Sequence, residues 1–234
     1  MWRTWLKPYL YALVLIGLVF QLWCFAWIGL YKAGLAPYTA FMRSEQMRLM
    51  AQGKQLGIEH TWVAYEGISD NLKKAVISSE DAGFVDHDGV DWSAIEVARK
   101  RNEKAGKSVA GGSTLSMQLI KNLFLSSNKS YLRKAEEIGM TYAMEVALSK
   151  EEILEIYLNS VEWGEGVFGV QAAAEHYFRT NANKLTPQQA AKLAVMLPAP
   201  KKYDLDRKNP YLGRRANVIL KRMRAAQIPD DEGV

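Results

Sequence analysis

The chain has 234 residues, long enough for one domain of about 100–200 residues and an attachment. Hydrophobic residues make up 49%, which excludes a disordered chain, and the single cysteine, Cys24, excludes an internal disulfide framework and a multi-cysteine metal site. The net charge of +5 is mild; only Arg3, Lys7 and Lys32 lie in the first 32 residues, all acids lie beyond residue 43, and the remaining body is only about +2, so charge does not argue for nucleic acid.

Residues 8–31 carry no charge. Twenty-four residues reach about 36 Å as a helix, against a hydrocarbon core of about 30 Å. Trp2, Trp5, Trp27 and Tyr31 sit near the ends, as an aromatic belt would. The run is too long for the apolar core of a cleaved signal peptide, and bulky Trp23, Phe25 and Trp27 occupy its end. The division expected is a cytoplasmic tail over residues 1–8, a transmembrane helix over 9–31, a membrane-proximal linker or helix over 32–60, and the main domain over 61–234. Arg3 and Lys7 before the span place the N-terminus in the cytoplasm and the main domain outside.

After Pro37 a helix is expected, with Phe41, Met42, Met47, Leu49 and Met50 among basic residues; it rests on a membrane surface or packs on the domain. Ser69 or Asp70 caps a helix to about Ser79, and Asp91 caps another from Trp92 to about Glu103, burying Trp92, Ile95 and Ala98. Residues 104–112 are small, basic and glycine-rich, and read as a mobile loop. Ser113 or Thr114 caps Leu115–Leu125. A helix over Tyr131–Leu148 turns Leu132, Ala135, Ile138, Tyr142 and Val146 inward. Capping boxes at Ser149–Glu152 and Thr186–Gln189 start two more, a further helix covers Val170–Phe178, and Asn209-Pro210 opens the last, to about Gln227. No alternating strand pattern of useful length occurs, so the main domain is mainly α-helical.

Three polar sets stand out: Glu80 with Asp81; Gln118, Lys121 and Asn122; and Arg133, Lys134, Glu136 and Glu137. Each alone reads as a solvated face or a surface ion pair. Together, two separated carboxylates and two cations suit transfer at a sugar carbon bearing a phosphate. One carboxylate takes a hydroxyl proton, and Lys and Arg hold the departing pyrophosphate.

These sets fall inside five ordered blocks. They are Glu80-Asp81-x-x-Phe84-x-x-His87-x-Gly89; Gly112-Ser113-Thr114-Leu115-Ser116-Met117-Gln118-Leu119-Ile120-Lys121-Asn122; Arg133-Lys134-x-x-Glu137; Ile153-Leu154-Glu155-x-Tyr157-Leu158-Asn159 through Trp163-Gly164; and Gly169-Val170-x-x-Ala173-Ala174-x-x-Tyr177-Phe178. In these blocks the chain resembles the bacterial peptidoglycan glycosyltransferases, glycosyltransferase family 51, over about residues 60–225. Length and anchor most resemble the monofunctional enzymes of Gram-negative bacteria. The resemblance implies a lysozyme-like helical domain in two lobes behind one transmembrane helix in the inner membrane, with the domain in the periplasm. It implies polymerisation of lipid II into β-1,4-linked glycan strands, with inversion and release of undecaprenyl diphosphate. Glu80 is then the base, Lys121 and Arg133 bind the diphosphate, Glu137 assists the leaving group, and Ser113, Gln118 and Asn122 line sugar and phosphate contacts. Phe84 and His87 shape the turn. No cofactor is obligatory; a divalent cation (Mg or Mn) at Glu137 is left open. Partners implied are lipid II, the lipid-linked glycan, the membrane and other cell-wall or division proteins, with no nucleic acid.

Two positions depart from the family pattern: Met117 stands where Gln is usual and Gln189 where Glu is usual. A lytic enzyme of the lysozyme-like class and a non-catalytic cell-wall scaffold are the rival readings. The cations argue against lysis, because a neutral glycan offers no diphosphate. Ser126-x-x-Lys129 and Ser69-Asp70-Asn71 match penicillin-binding signatures in the wrong order and without a following Lys-Thr-Gly, and read as chance. The three histidines, His60, His87 and His176, lack metal-ligand spacing.

Overall fold

Helix α1, Trp2–Lys32, is the main part of one compact unit, Met1–Pro37; everything from Tyr38 on forms the other. Within α1, Lys7–Tyr31 has a mean hydropathy of 2.2 over 25 residues, long and apolar enough to cross a membrane. Leu10, Leu13, Leu15, Leu18 and Leu22 all point outward, as a helix meant for an apolar solvent would have them. The computed structural model describes residues 2–33, 38–54, 57–107, 111–124 and 131–229.

The second unit begins with α2, Ala40–Ala51, whose Met42 N–H is capped by Thr39 Oγ1 at 3.1 Å. It continues through α3 (Asp70–Glu80), α4 (Trp92–Ala105), α5 (Leu115–Phe124), α6 (Tyr131–Ala147), α7 (Lys150–Ser160), α8 (Val170–Phe178), α9 (Pro187–Met196), α10 (Pro200–Leu205) and α11 (Pro210–Arg222). The mainly α class expected from the periodicity is what the chain adopts. Two helical clusters organise it. α9 packs on α3 and α11, and α11 closes on α3; α5 packs on α6, α7 and α2. Leu72, Val76 and Ile77 of α3 and Leu115, Leu119 and Ile120 of α5 are buried, each side chain contributing about 1.5–3 kcal/mol of apolar transfer. The helix expected after Pro37 thus packs on α5 through a face that buries Met42 and Leu49, while Met47 and Met50 stay exposed.

Three short strands were not expected: β1 (Glu59–His60), β2 (Glu162–Gly164) and β3 (Val167–Phe168). They form one sheet in the order β1-β3-β2, with β1 parallel and β2 antiparallel to β3. At two or three residues each, they are too short to show alternation. The six-residue α10 was missed for the same reason.

The start signals hold well. Ser69, Asp91, Ser149 and Thr186 all accept from the first turns of their helices, and the two capping boxes close as written. The Ser69-Asp70-Asn71 match is simply the cap of α3. Gln189 Oε1 accepts from Thr186 N at 2.9 Å, a bond that the usual Glu would also make. Thr114, rather than Ser113, caps α5: its Oγ1 accepts from Met117 N at 3.2 Å. The last helix stops at Arg222, short of Gln227.

Two burial expectations fail. Trp92 is 57% exposed; it is the first residue of α4, and its indole N–H donates to Tyr142 Oη at 3.0 Å. Along α6 the inward face is Glu137, Met140, Thr141 and Met144, with Leu148 just beyond, while Tyr142 is 40% and Val146 87% exposed and Ala135 is exposed too. Ile138 is half-buried, and the side chain of Leu132 lies outside the described residues. Both stripes of this helix are apolar enough to bury, so periodicity alone did not choose; packing on α5 did. Residues 108–110 of the 104–112 loop and the Ser126–Lys129 match also lie outside the described residues.

Candidate active site

The turn after α3 is tied down residue by residue. Phe84 is fully buried, with Lys150 Nζ 4.8 Å from its ring centroid. Asp81, 8% exposed, accepts from Leu115 N through Oδ2 at 2.9 Å and from His87 Nε2 through Oδ1 at 3.0 Å. The other His87 nitrogen, Nδ1, accepts from Gly89 N at 3.1 Å, which selects the Nε2–H tautomer. Gly89 sits at φ +86°, and a Cβ there would lie 2.7 Å from Thr141 Cγ2 and from Glu145 Cγ, so glycine is required twice over. Thr114 Oγ1 closes the turn by donating to Gly89 O at 2.5 Å. Asp81 thereby joins the end of α3 to the start of α5, and this junction fixes the direction of its neighbour, Glu80.

Glu80 is the last residue of α3. Its Oε2 accepts from Gln118 Nε2 at 3.3 Å, and Ser79 Oγ stands 3.4 Å from Oε1. Tyr157 Oη, on fully buried α7 core, donates to Gln118 Oε1 at 3.1 Å and so orients the amide toward Glu80. Burial holds the Glu80 carboxyl above its usual range; the Gln118 and Ser79 bonds and the Arg215 charge oppose this, and Asp81 adds to it. A carboxylate kept partly desolvated, and bonded by neutral donors rather than by a cation, is suited to take a proton.

Gln118 also lines a cleft of about 480 Å³. Its other walls include Ser113, Met117, Lys121 and Asn122 from the α5 segment; Arg133, Lys134 and Glu137 from α6; and Phe41, Glu162, Leu197 and Pro200. Glu137 is 3% exposed, and both its oxygens are engaged: Arg133 Nη1 at 2.8 Å and Lys134 Nζ at 2.6 Å. Lys134 reaches across to Ser113 Oγ at 3.4 Å. Lys121 shares this corner. Crowding by protein atoms lowers its ammonium pKa; Glu137 works against that, and Arg133 and Lys134 reinforce it. One carboxylate thus holds two cations side by side and faces a third. Among the described residues, three cations gather around one buried carboxylate here, an arrangement that suits a multivalent anion.

The structure therefore brings Ser113, Gln118, Lys121, Asn122, Arg133 and Glu137 to one cleft, with Glu80 one hydrogen bond behind its Gln118 wall. Met117 is wholly buried yet borders the cleft, as expected of an apolar replacement. Sequence reasoning left out three contributors. Lys134 was named in its polar set but not chosen; its spacing to Glu137, i to i+3, was the available signal. Tyr157 stood in the fourth block without a role and Glu162 gave no signal of its own, because their roles depend on contacts with distant residues.

A family model described as Transglycosylase matches residues 47–224, which include every residue of this cleft except Phe41. The chain is 50% identical over 216 residues to a protein of Herminiimonas arsenicoxydans named biosynthetic peptidoglycan transglycosylase, covering 92% of this chain and 94% of that one. Proteins of the same name from Paraburkholderia xenovorans and Dechloromonas aromatica are 51% and 48% identical, over 95% and 96% of this chain and 93% and 97% of theirs. With a matching model over most of its length and relatives of this identity spanning nearly the whole of both chains, this chain belongs to the transglycosylase family and is a glycosyltransferase.

Proposed function

We propose that the protein is a peptidoglycan glycosyltransferase of bacterial cell-wall synthesis, polymerising lipid II into β-1,4-linked glycan strands and releasing undecaprenyl diphosphate. The observation that carries the reading is the pairing of a desolvated base with an anion site at one cleft: Glu80 behind Gln118, and Lys121, Arg133 and Lys134 gathered around Glu137. The names of the relatives point the same way.

In this reading Glu80 takes the proton of the acceptor's 4-hydroxyl as that oxygen attacks the anomeric carbon of the lipid-linked chain. The bond from that carbon to the diphosphate breaks on the opposite face, so the anomeric centre inverts. The electron pair leaves with the diphosphate, whose charge is met by Lys121, Arg133 and Lys134. Glu137 acts through the two cations it holds, fixing their positions for the leaving group. Ser113 and Asn122 border the same space and suit its polar oxygens. Both Glu137 oxygens serve Arg133 and Lys134, so a divalent ion there would have to share or displace one of these cations.

The α1 helix fits a substrate with a lipid tail, since an enzyme held at the bilayer meets it without leaving the surface. Arg3 and Lys7 before the span support a cytoplasmic N-terminus, which puts the catalytic unit on the outer face of the inner membrane.

The test is the full chain in detergent with labelled lipid II. Long glycan strands are expected. Glu80→Gln keeps shape and hydrogen bonding but removes the base, and is expected to lower kcat by about 10²–10⁴-fold. Substantial remaining polymerisation would remove Glu80 from the role of base. Shortening of added glycan, with no synthesis, would replace this reading by the lytic one.

A further inference from the structure

Glu162 opens β2 and forms part of the cleft wall beside Phe41, Leu197 and Pro200, yet the chemistry above gives it no task. It is 5% exposed, and among the described residues its Oε1 has no hydrogen-bond partner. An unsatisfied carboxyl oxygen in such a place costs more than an apolar side chain would.

Its neighbours explain why it stays unsatisfied. Lys201 Nζ, from α10, stands 3.4 Å from Oε1, at ion-pair distance but without hydrogen-bond geometry. The same ammonium lies 2.5 Å from Oε2 of Glu45 on α2. Glu45 also takes both a 2.6 Å and a 2.8 Å bond from Arg48, which reaches on to Glu165. Two buried carboxyls therefore compete for one lysine, and Glu45 wins. For Glu45, burial is outweighed by the bonds from Arg48 and Lys201, and its carboxyl lies below the usual range. For Glu162, burial dominates, Lys201 and the Gly166 backbone offset it only in part, and Glu45 adds to it; the carboxyl is pushed up to about 7. Tyr177 of α8 also interacts with Glu162, its hydroxyl donating to Trp163 O at 2.9 Å, and Lys121, Arg133, Lys134 and Glu137 line the same cleft.

We propose that Glu162 is a specificity-determining residue of the cleft, donating its carboxylic O–H to an amide carbonyl oxygen carried by the bound sugar, a group that can only accept. This rests on the reading of the cleft as a glycan site. The chemistry selects the partner. A phosphate would meet a carboxyl that repels it once ionised, and a cationic group would meet Lys201. A neutral acceptor gains a buried donor beside Phe41, Leu197 and Pro200, shielded from water, where a hydrogen bond is stronger. An ionised Glu162 can only accept, so the contact is present below the group's pKa and lost above it.

The test is KM for lipid II of the full chain in detergent, for wild type, Glu162→Gln and Glu162→Ala, from pH 6 to 8.5. Glu80 is common to all three, so its titration cancels in the ratios. Gln keeps a donor at every pH. The ratio of the Glu162→Gln KM to the wild-type KM is expected to fall as pH rises past about 7, by about fivefold to tenfold at pH 8.5, the worth of one hydrogen bond. Glu162→Ala is expected to raise KM by a similar factor at pH 6 with kcat little changed. If Glu162→Ala does not fold, the isosteric Gln variant carries the test alone. A ratio that is flat with pH overturns the proposal, and a ratio that rises with pH overturns it in favour of an ionised acceptor. If wild type makes no glycan strands at all, the lipid II reading fails and takes this inference with it.

Discussion

Glu80 and Lys121 are moved toward their neutral forms by the same cause, burial beside one cleft, and their neighbours set how far each goes. For Glu80 this has a sign that can be checked. In the proposed role of base Glu80 works ionised, so kcat/KM is expected to fall as pH drops through its folded pKa, with that acid limb above the ordinary carboxylate range. Stability runs the other way. A carboxyl whose folded pKa lies above its unfolded value of 4.5 binds its proton more tightly when folded, so stability is lost as pH rises through that interval. Glu80→Gln is therefore expected to melt above wild type at pH 8, with the gap closing near pH 4, while losing its activity; equal melting at both pH values would contradict the burial argument. For the cations, Lys121→Ala and Arg133→Ala are each expected to lower kcat/KM by about 10²–10³-fold, the usual loss when one donor to a developing anion goes. Arg133→Lys should recover only part of this, because a single ammonium replaces a planar fork. Steady-state kinetics that leave kcat/KM within a few-fold for both alanine variants would remove the anion site.

Among the elements, the turn between α3 and α4 matters most, because it sets where Glu80 points. Asp81 holds it by accepting both from the first N–H of α5 and from His87. Asp81→Ala leaves a buried helix N–H without its partner, at about 1–3 kcal/mol. A lower melting temperature is expected, together with a fall in kcat at temperatures where the variant remains folded; unchanged kcat in the folded variant would show that Asp81 is structural only. This turn was readable in outline. Carboxylates at the end of an apolar helix, followed by Phe84, His87 and Gly89, announced a shaped loop. The helix starts were readable too, because a cap acts within four residues. The inward face of α6 was not. Ala135, Ile138, Tyr142 and Val146 form as good an apolar stripe as Met140, Met144 and Leu148, and only the second is buried, since it is the one that also delivers Glu137 and Thr141 against α5. Trp92 was misjudged for a related reason: a side chain on the first turn of a helix answers to what lies beyond the helix end, here Tyr142.

For the molecule as a whole, the chain forms two compact units, one built on α1 and one from Tyr38 on, and the proposed function expects both to be needed at a bilayer. If α1 is the proposed anchor and lipid II the proposed substrate, removing residues 1–32 should raise the apparent KM for lipid II far more in vesicles than in detergent, because an anchor concentrates enzyme where a lipid substrate lies. An equal effect in both settings would mean that the helix supports the fold instead. The residue order alone was sufficient for a helix long and apolar enough to cross a membrane, for the helical class and for the family blocks, because each rests on local quantities: hydropathy over one helix length, periodicity, caps and short motifs. It was also sufficient to nominate Glu80, Gln118, Lys121, Arg133 and Glu137. It could not say that Glu137 spends both oxygens on cations, that Tyr157 aims Gln118 at Glu80, or that Glu162 loses Lys201 to Glu45. Those are competitions among groups brought together from distant parts of the chain, and they are settled by distance and burial, which exist only once α2, α3, α5, α6, α7 and α10 have packed.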